Sequence, residues 1–203
     1  MTKIGEISVT TNPSTISMTT DREKQAQKRI PTISKTINDI NLTLLKQFEI
    51  SKGENGIGIT GCTIMPSGKI IFVDQSNDRL VIHNDNGLFV CAIPVSHYPI
   101  DVTCIDENTV AVTHNAEPYH IEIINIVNKK IVNQIKTSNQ CYGITNENER
   151  LIYYEVGRGI QIADVKSEST ATTVVKVDGE HHWNYVTTSK DKIYHTKSES
   201  GVP

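Results

Sequence analysis

The chain has 203 residues, a net charge of −3 and 37% hydrophobic residues, enough apolar material for one packed domain with an appendage. Its mildly acidic balance lacks the dense positive charge that nucleic acid rewards, and no apolar run approaches the length needed to cross a membrane. The opening "MTKIGEISVTTNPS" lacks the apolar core of a secretory signal, so a cytoplasmic protein is expected.

From the N-terminus, residues 7–20 are rich in Ser and Thr and read as disordered. "DREKQAQKR" at 21–29 can form a short helix, capped by Thr20 or Asp21 and ended by Pro31. "INLTLLKQFEI" at 40–50 alternates well enough to be a strand. These features place a linker-like, mostly disordered segment at 1–39 and a folded domain at 40–203. The two parts also differ in charge. Residues 1–50 carry seven Lys/Arg against five Asp/Glu, and residues 51–203 carry thirteen against eighteen.

A repeat of about forty residues follows. "GKIIFVDQ" at 68–75 matches "NTVAVTHN" at 108–115, "ERLIYYEV" at 149–156 and "DKIYHTKS" at 191–198. Taking Ile71, Val110, Ile152 and Ile193 as equivalent gives spacings of 39, 42 and 41. Strands rich in Val, Ile, Thr and Tyr are expected at 60–65, 69–74, 79–83 and 88–93 in the first unit. The second unit has them at 100–105, 109–113, 120–126 and 131–136, and the third at 142–145, 150–155, 159–164 and 172–177. A shorter fourth unit has 185–188 and 192–196. Turn formers separate them, such as Pro66-Ser67-Gly68 and Asp106-Glu107-Asn108. Four strands per forty residues is a β-propeller blade, so the expected fold is all-β, a partial propeller of about three and a half blades. The inner strands should begin near 58, 99, 141 and 183.

"GITGCTIMPSGKIIFVDQSNDRLVIHNDNG", "CIDENTVAVTH", "YGITNENERLIYYEVGRGIQIADV" and "VTTSKDKIYHT" resemble successive blades of the NHL-like propellers of tripartite-motif proteins, especially the bivalve-mollusc set. "IPTISKTINDINLTLLKQFEI" resembles the segment that joins their coiled coil to the propeller. The likeness covers roughly residues 21–197. It implies a substrate-recognition module of a RING-type ubiquitin ligase, truncated at both ends and lacking the catalytic RING and the coiled coil. Relatives of this kind bind proteins or, in some cases, RNA. A protein or peptide partner is therefore expected, with RNA binding as the alternative and a calcium-dependent propeller hydrolase as a further one. Blade edges left open imply self-association.

Candidate site residues are few. His181-His182-Trp183 lies just before the fourth inner strand, where propellers place partner contacts. Adjacent strand residues point to opposite faces, so the two histidines are poor chelators of one ion. Tyr98, Tyr142, Trp183 and Tyr185 recur near the starts of inner strands, where aromatics pack blades together or anchor interfaces. Arg158, in the tight Gly157-Arg158-Gly159 turn, Arg79, His114 and His120 could line the same face. The expected binding set is Tyr98, Tyr142, His181, His182, Trp183 and Arg158. Asp74, Thr113, Glu155 and Thr196 are taken as equivalent strand ends, two of them carboxylates, and are read as solvated turn caps rather than calcium ligands. The spacing of Cys62, Cys91, Cys104 and Cys141 contains no C-x-x-C pair and fits buried free thiols. No Ser-His-Asp arrangement, phosphate-binding loop or dinucleotide-binding glycine pattern appears. No catalytic residue, metal or cofactor is expected, and the Asn41-Leu42-Thr43 sequon should remain unmodified.

Overall fold

A computed structural model describes residues 3–8, 43–166, 171–177, 183–190 and 192–196. The chain divides into two compact units, residues 1–49 and 50–203, ten residues beyond the boundary that sequence suggests. In the first unit, β1 (Lys3–Ser8) pairs antiparallel with β2 (Thr43–Glu49). Part of the stretch read as disordered is thus a strand, and it gives the 40–50 strand a partner from its own unit. The expected helix at 21–29 lies outside the described residues.

The second unit is a partial β-propeller. Blade I contains β3 (Ile59–Ile64), β4 (Ile70–Asp74), β5 (Arg79–His83) and β6 (Phe89–Pro94). Blade II contains β7 (Pro99–Cys104), β8 (Thr109–His114), β9 (His120–Asn125) and β10 (Lys130–Lys136). Blade III contains β11 (Cys141–Glu147), β12 (Arg150–Glu155), β13 (Gly159–Asp164) and β14 (Thr172–Val175), and β15 (Val186–Ser189) pairs with β16 (Lys192–His195) in a two-stranded partial blade IV. Each blade is an antiparallel meander, so neighbours in sequence are neighbours in the sheet. Among the described residues no helix is long and apolar enough to cross a membrane.

The register corrects the sequence alignment. Thr63 faces Ile71, Thr103 faces Ala111, Thr145 faces Ile152 and Thr188 faces Ile193. Ala111, not Val110, is therefore the equivalent of Ile71, and the equivalent strand ends are Asp74, His114, Glu155 and Thr196. Val110 and Ala111 are both small, apolar and fully buried, so hydrophobic pattern alone could not choose between them.

The core lies between blades. Met65, Ile71, Leu80, Ile93, Val110 and Ile124 pack between blades I and II. Ala111, Ile121, Ile144, Leu151, Tyr153 and Ala163 fill the space between II and III. Ile100, Tyr142, Ile152, Tyr154, Ile160 and Val186 join III to the partial blade IV. The outer strands β10 and β14 are mostly exposed, and the buried residues concentrate on the inner three strands of blades II and III.

Close approach of the inner strands depends on one position, two residues after each strand's entry pair. Gly61 and Gly143 occupy it in blades I and III. A Cβ on Gly61 would lie 2.4 Å from Asp101 Oδ1, and one on Gly143 would lie 2.4 Å from Tyr185 Cα. In blade II the same position is Asp101. Its Oδ2 accepts the Ile144 N–H at 3.0 Å and its Oδ1 accepts the Val102 N–H at 2.9 Å.

Candidate functional site: the loop face

One end of the propeller carries the loops that lead into the inner strands and the turns that join the second and third strands of each blade. A buried acid pins the leading loop in each of blades I, II and III. Asp74 Oδ1 accepts the Gly58 N–H at 3.1 Å, and its Oδ2 accepts from Arg79 Nε at 2.8 Å and Asn77 Nδ2 at 2.9 Å. Glu155 Oε1 accepts the N–H groups of Ser138 and Asn139 at 2.8 and 3.0 Å. In blade II the acid sits on the third strand instead. Glu122 accepts from Ser96 Oγ at 2.5 Å and the Ser96 N–H at 3.4 Å, and His114 fills the strand end that blades I and III give to an acid. All three acids are fully buried. Asp74 and Glu155 are thus not the solvated turn caps that sequence suggested, and the three acids share no common site: each is committed to its own blade's loop.

The aromatic residues follow this frame. Tyr98 is 49% exposed with φ +55°, and Trp183 is 46% exposed with φ +60°. Both hold a left-handed backbone that bulky side chains rarely adopt. Tyr98 is fastened there because its N–H donates to Asp78 Oδ1 at 2.9 Å, while His97 Nδ1 meets Asp78 Oδ2 at 2.5 Å. Asn115 ties the face together. Its N–H donates to the Tyr98 carbonyl at 3.0 Å, and its Nδ2 donates to the Tyr142 hydroxyl at 3.3 Å. The Tyr142 ring meets the edge of Trp183 at a centroid distance of 5.8 Å.

Tyr142 is only 3% exposed and belongs to the blade III–IV core. Its expected place in the binding set is corrected: it supports Trp183 from below, because its carbonyl also accepts Thr113 Oγ1 at 2.7 Å. Arg158 is exposed and donates to Ser138 Oγ at 3.1 Å, on the same loop as Gln140, whose Oε1 accepts the Tyr142 hydroxyl at 3.4 Å. Tyr98, Trp183 and Arg158 are thus surface groups of one face. His181 and His182 lie outside the described residues.

Two cavities flank this face. An axial one of about 440 Å³ lies among the inner strands, lined by Thr60, Cys62, Asp101, Thr145, Tyr185 and Thr187 among others. The Tyr185 hydroxyl donates to the Thr60 carbonyl at 2.7 Å and so links β3 to the chain just before β15. Burial pushes Asp101 up to about 7, against the pull of the Ile144 and Val102 N–H groups. Burial, with Asp101 nearby, raises Cys62 as well, which makes it a poor nucleophile. The second cavity, about 550 Å³, opens beside blade II between residues 96–97, 116–120 and 134–137.

Behind that second cavity, His114, His120 and Glu122 converge, a grouping sequence reasoning missed. His120-Ile121-Glu122 is a strand pair at i and i+2, which puts both side chains on one face. A short hairpin brings His114 alongside. Burial opposes ionisation of Glu122, yet bonds from His114 and Ser96 hold it down to about 2.

No protein-family model matches the sequence, and no curated protein matches it. Solved structures do match in shape. The WD40 β-propeller domain of Doa1 superposes with a TM-score of 0.59 at 10% identity, covering 73% of this chain and 50% of that one. The computationally designed Ika8 protein gives 0.58 at 5% identity, over 78% and 49%. Virginiamycin B lyase from Staphylococcus aureus gives 0.55 at 18% identity, over 77% and 60%. The chain spans about half to three-fifths of these proteins' length. At such identities the likeness establishes the fold, a β-propeller, a scaffold generally suited to protein interaction.

Proposed function

We propose that the chain is a partner-recognition module that binds a protein or peptide on the loop face and catalyses no reaction itself. In this reading it is the counterpart of the propeller in tripartite-motif ubiquitin ligases, which its blade sequences resemble. The observation that carries the proposal is the pair of half-exposed aromatics, Tyr98 and Trp183, held in left-handed backbone. Each such conformation costs about 1–3 kcal/mol and persists where the surroundings over-determine it. Asp78 and Asn115 hold Tyr98 in this way, the Tyr142 ring packs against Trp183, and both aromatic groups are offered to solvent. Tyr and Trp presented this way are the usual anchors of protein interfaces.

A selection of displayed random peptides on the immobilised chain tests the proposal. Wild-type protein should enrich a peptide family, and Tyr98→Ala and Trp183→Ala should each weaken its binding tenfold or more. Equal binding by both folded variants would overturn this face. Tight, salt-sensitive binding of single-stranded RNA with no enriched peptide would overturn the choice of partner.

A further inference from the structure

We propose that His114, His120 and Glu122 form a binding site for a divalent transition-metal ion of the zinc class, reached from the cavity beside blade II. The inference goes beyond partner recognition and does not depend on it.

These are the one group of three potential ligand side chains brought together among the described residues, with one donor atom from each lying within 4.8 Å of the others. Spacing and chemistry agree. His114 Nε2 lies 3.2 Å from Glu122 Oε2, and His120 Nε2 lies 3.4 Å from Glu122 Oε1. A tetrahedral ion with metal–nitrogen distances of about 2.0–2.1 Å spaces its donors about 3.3 Å apart. Two imidazoles and one carboxylate suit zinc and its late first-row neighbours rather than calcium or magnesium, which prefer oxygen alone.

The ring orientations agree with this. His114 Nδ1 faces the His97 carbonyl at 3.4 Å, and His120 Nδ1 faces the Pro118 carbonyl. Each ring therefore turns its other nitrogen, Nε2, toward Glu122. The rings are stacked with centroids 4.8 Å apart, and His114 Nε2 is fully buried.

The surroundings match an outer ligand sphere. The two carbonyls fix the ring orientations, and Ser96 Oγ and Gln134 Nε2, at 2.5 and 3.4 Å, hold Glu122. Outer partners of this kind set the tautomer and geometry of metal ligands. Of the three ligands only His120 lines the cavity, with Ser96 and Gln134 beside it. The ion enters past His120, whose ring must tilt out of the stack to share it.

The test uses the full chain stripped with chelator and titrated with zinc against a chromogenic competitor, with cobalt as a spectroscopic probe. One equivalent should bind, cobalt should give the visible absorption of a four- or five-coordinate site, and His120→Ala should weaken binding at least tenfold. A His181→Ala/His182→Ala variant should bind as wild type. Long-range nitrogen–proton NMR of the unmutated protein adds a readout free of folding effects: zinc should shift the Nε2 resonances of two histidines together. Absence of stoichiometric binding, binding that survives His120→Ala, or histidine nitrogens that respond to pH but not to zinc would overturn the site.

Discussion

Asp101 and Ile144 are joined across a blade boundary, with Asp101 Oδ2 accepting the Ile144 backbone N–H at 3.0 Å. The bond ties the inner strand of blade II to that of blade III through a side chain 7% exposed. Burial pushes the Asp101 carboxyl from 3.8 to about 7, so the folded state holds this proton to higher pH than the unfolded chain does. Its contribution to stability is complete below about pH 4 and is lost as pH rises through about 7. The span is roughly three pH units at about 1.4 kcal/mol each, so the decline is on the order of 4 kcal/mol. Urea melts from pH 4 to pH 8 should show that decline in the wild type. Asp101→Asn should flatten it, at the cost of one lost N–H acceptor. A wild-type profile as flat as the mutant's would refute the assignment. Cys62 and Tyr185 are the titratable neighbours, and both stay protonated in this range.

Gly143→Ala should loosen the partial fourth blade. The added methyl would sit 2.4 Å from Tyr185 Cα and 2.6 Å from the Val186 nitrogen, and backbone cannot step aside as a side chain can. Overpacking of this kind costs about 1–3 kcal/mol. Hydrogen exchange at 186–189 should quicken first, with blades I and II unchanged. At Gly157, where a Cβ would meet nothing within 4 Å but φ is +74°, Ala should cost about 1 kcal/mol through backbone strain alone.

Tyr98→Gly should separate recognition from stability. Glycine relieves the left-handed strain at φ +55°, so melting should be unchanged or slightly higher, while peptide affinity falls at least tenfold. Tyr142→Ala should do the reverse of a clean contact mutation. Its ring is core, and truncation should cost about 3–5 kcal/mol, visible in denaturant melts before any binding is measured. Equal stability of Tyr142→Ala and wild type would contradict the burial described above.

The 203-residue chain should self-associate. Strand β16 pairs only with β15 among the described strands, and its Tyr194 is half-exposed. An unpaired strand edge with an apolar side chain invites sheet-to-sheet contact. Light scattering should show mass rising with concentration, and Tyr194→Lys should suppress it. A monodisperse monomer at every concentration would count against this edge.

Much of the propeller was legible because alternation and turn chemistry are local. Arg79–His83, Arg150–Glu155 and Gly159–Asp164 match the expected strands residue for residue. What escaped was set by contacts distant in sequence. Val110 and Ala111 are equally apolar, and only pairing with Thr103 fixes which one repeats. The Lys3–Ser8 strand needs its partner forty residues on. His114 and His120 read as separate residues that could line the loop face, because nothing in a linear chain announces that blade II moves its loop-pinning acid to the third strand.

That the leading loops of blades I to III are each pinned by an acid of their own blade has a consequence for how such a surface can diversify. Gly58 is held by Asp74, Ser96 by Glu122, and Ser138 and Asn139 by Glu155. The anchor of one loop makes no demand on the anchor of the next, so residues between anchors can be exchanged blade by blade. Grafting new sequences at 97–98, with the acids left in place, should give a library of altered specificities on an unaltered frame.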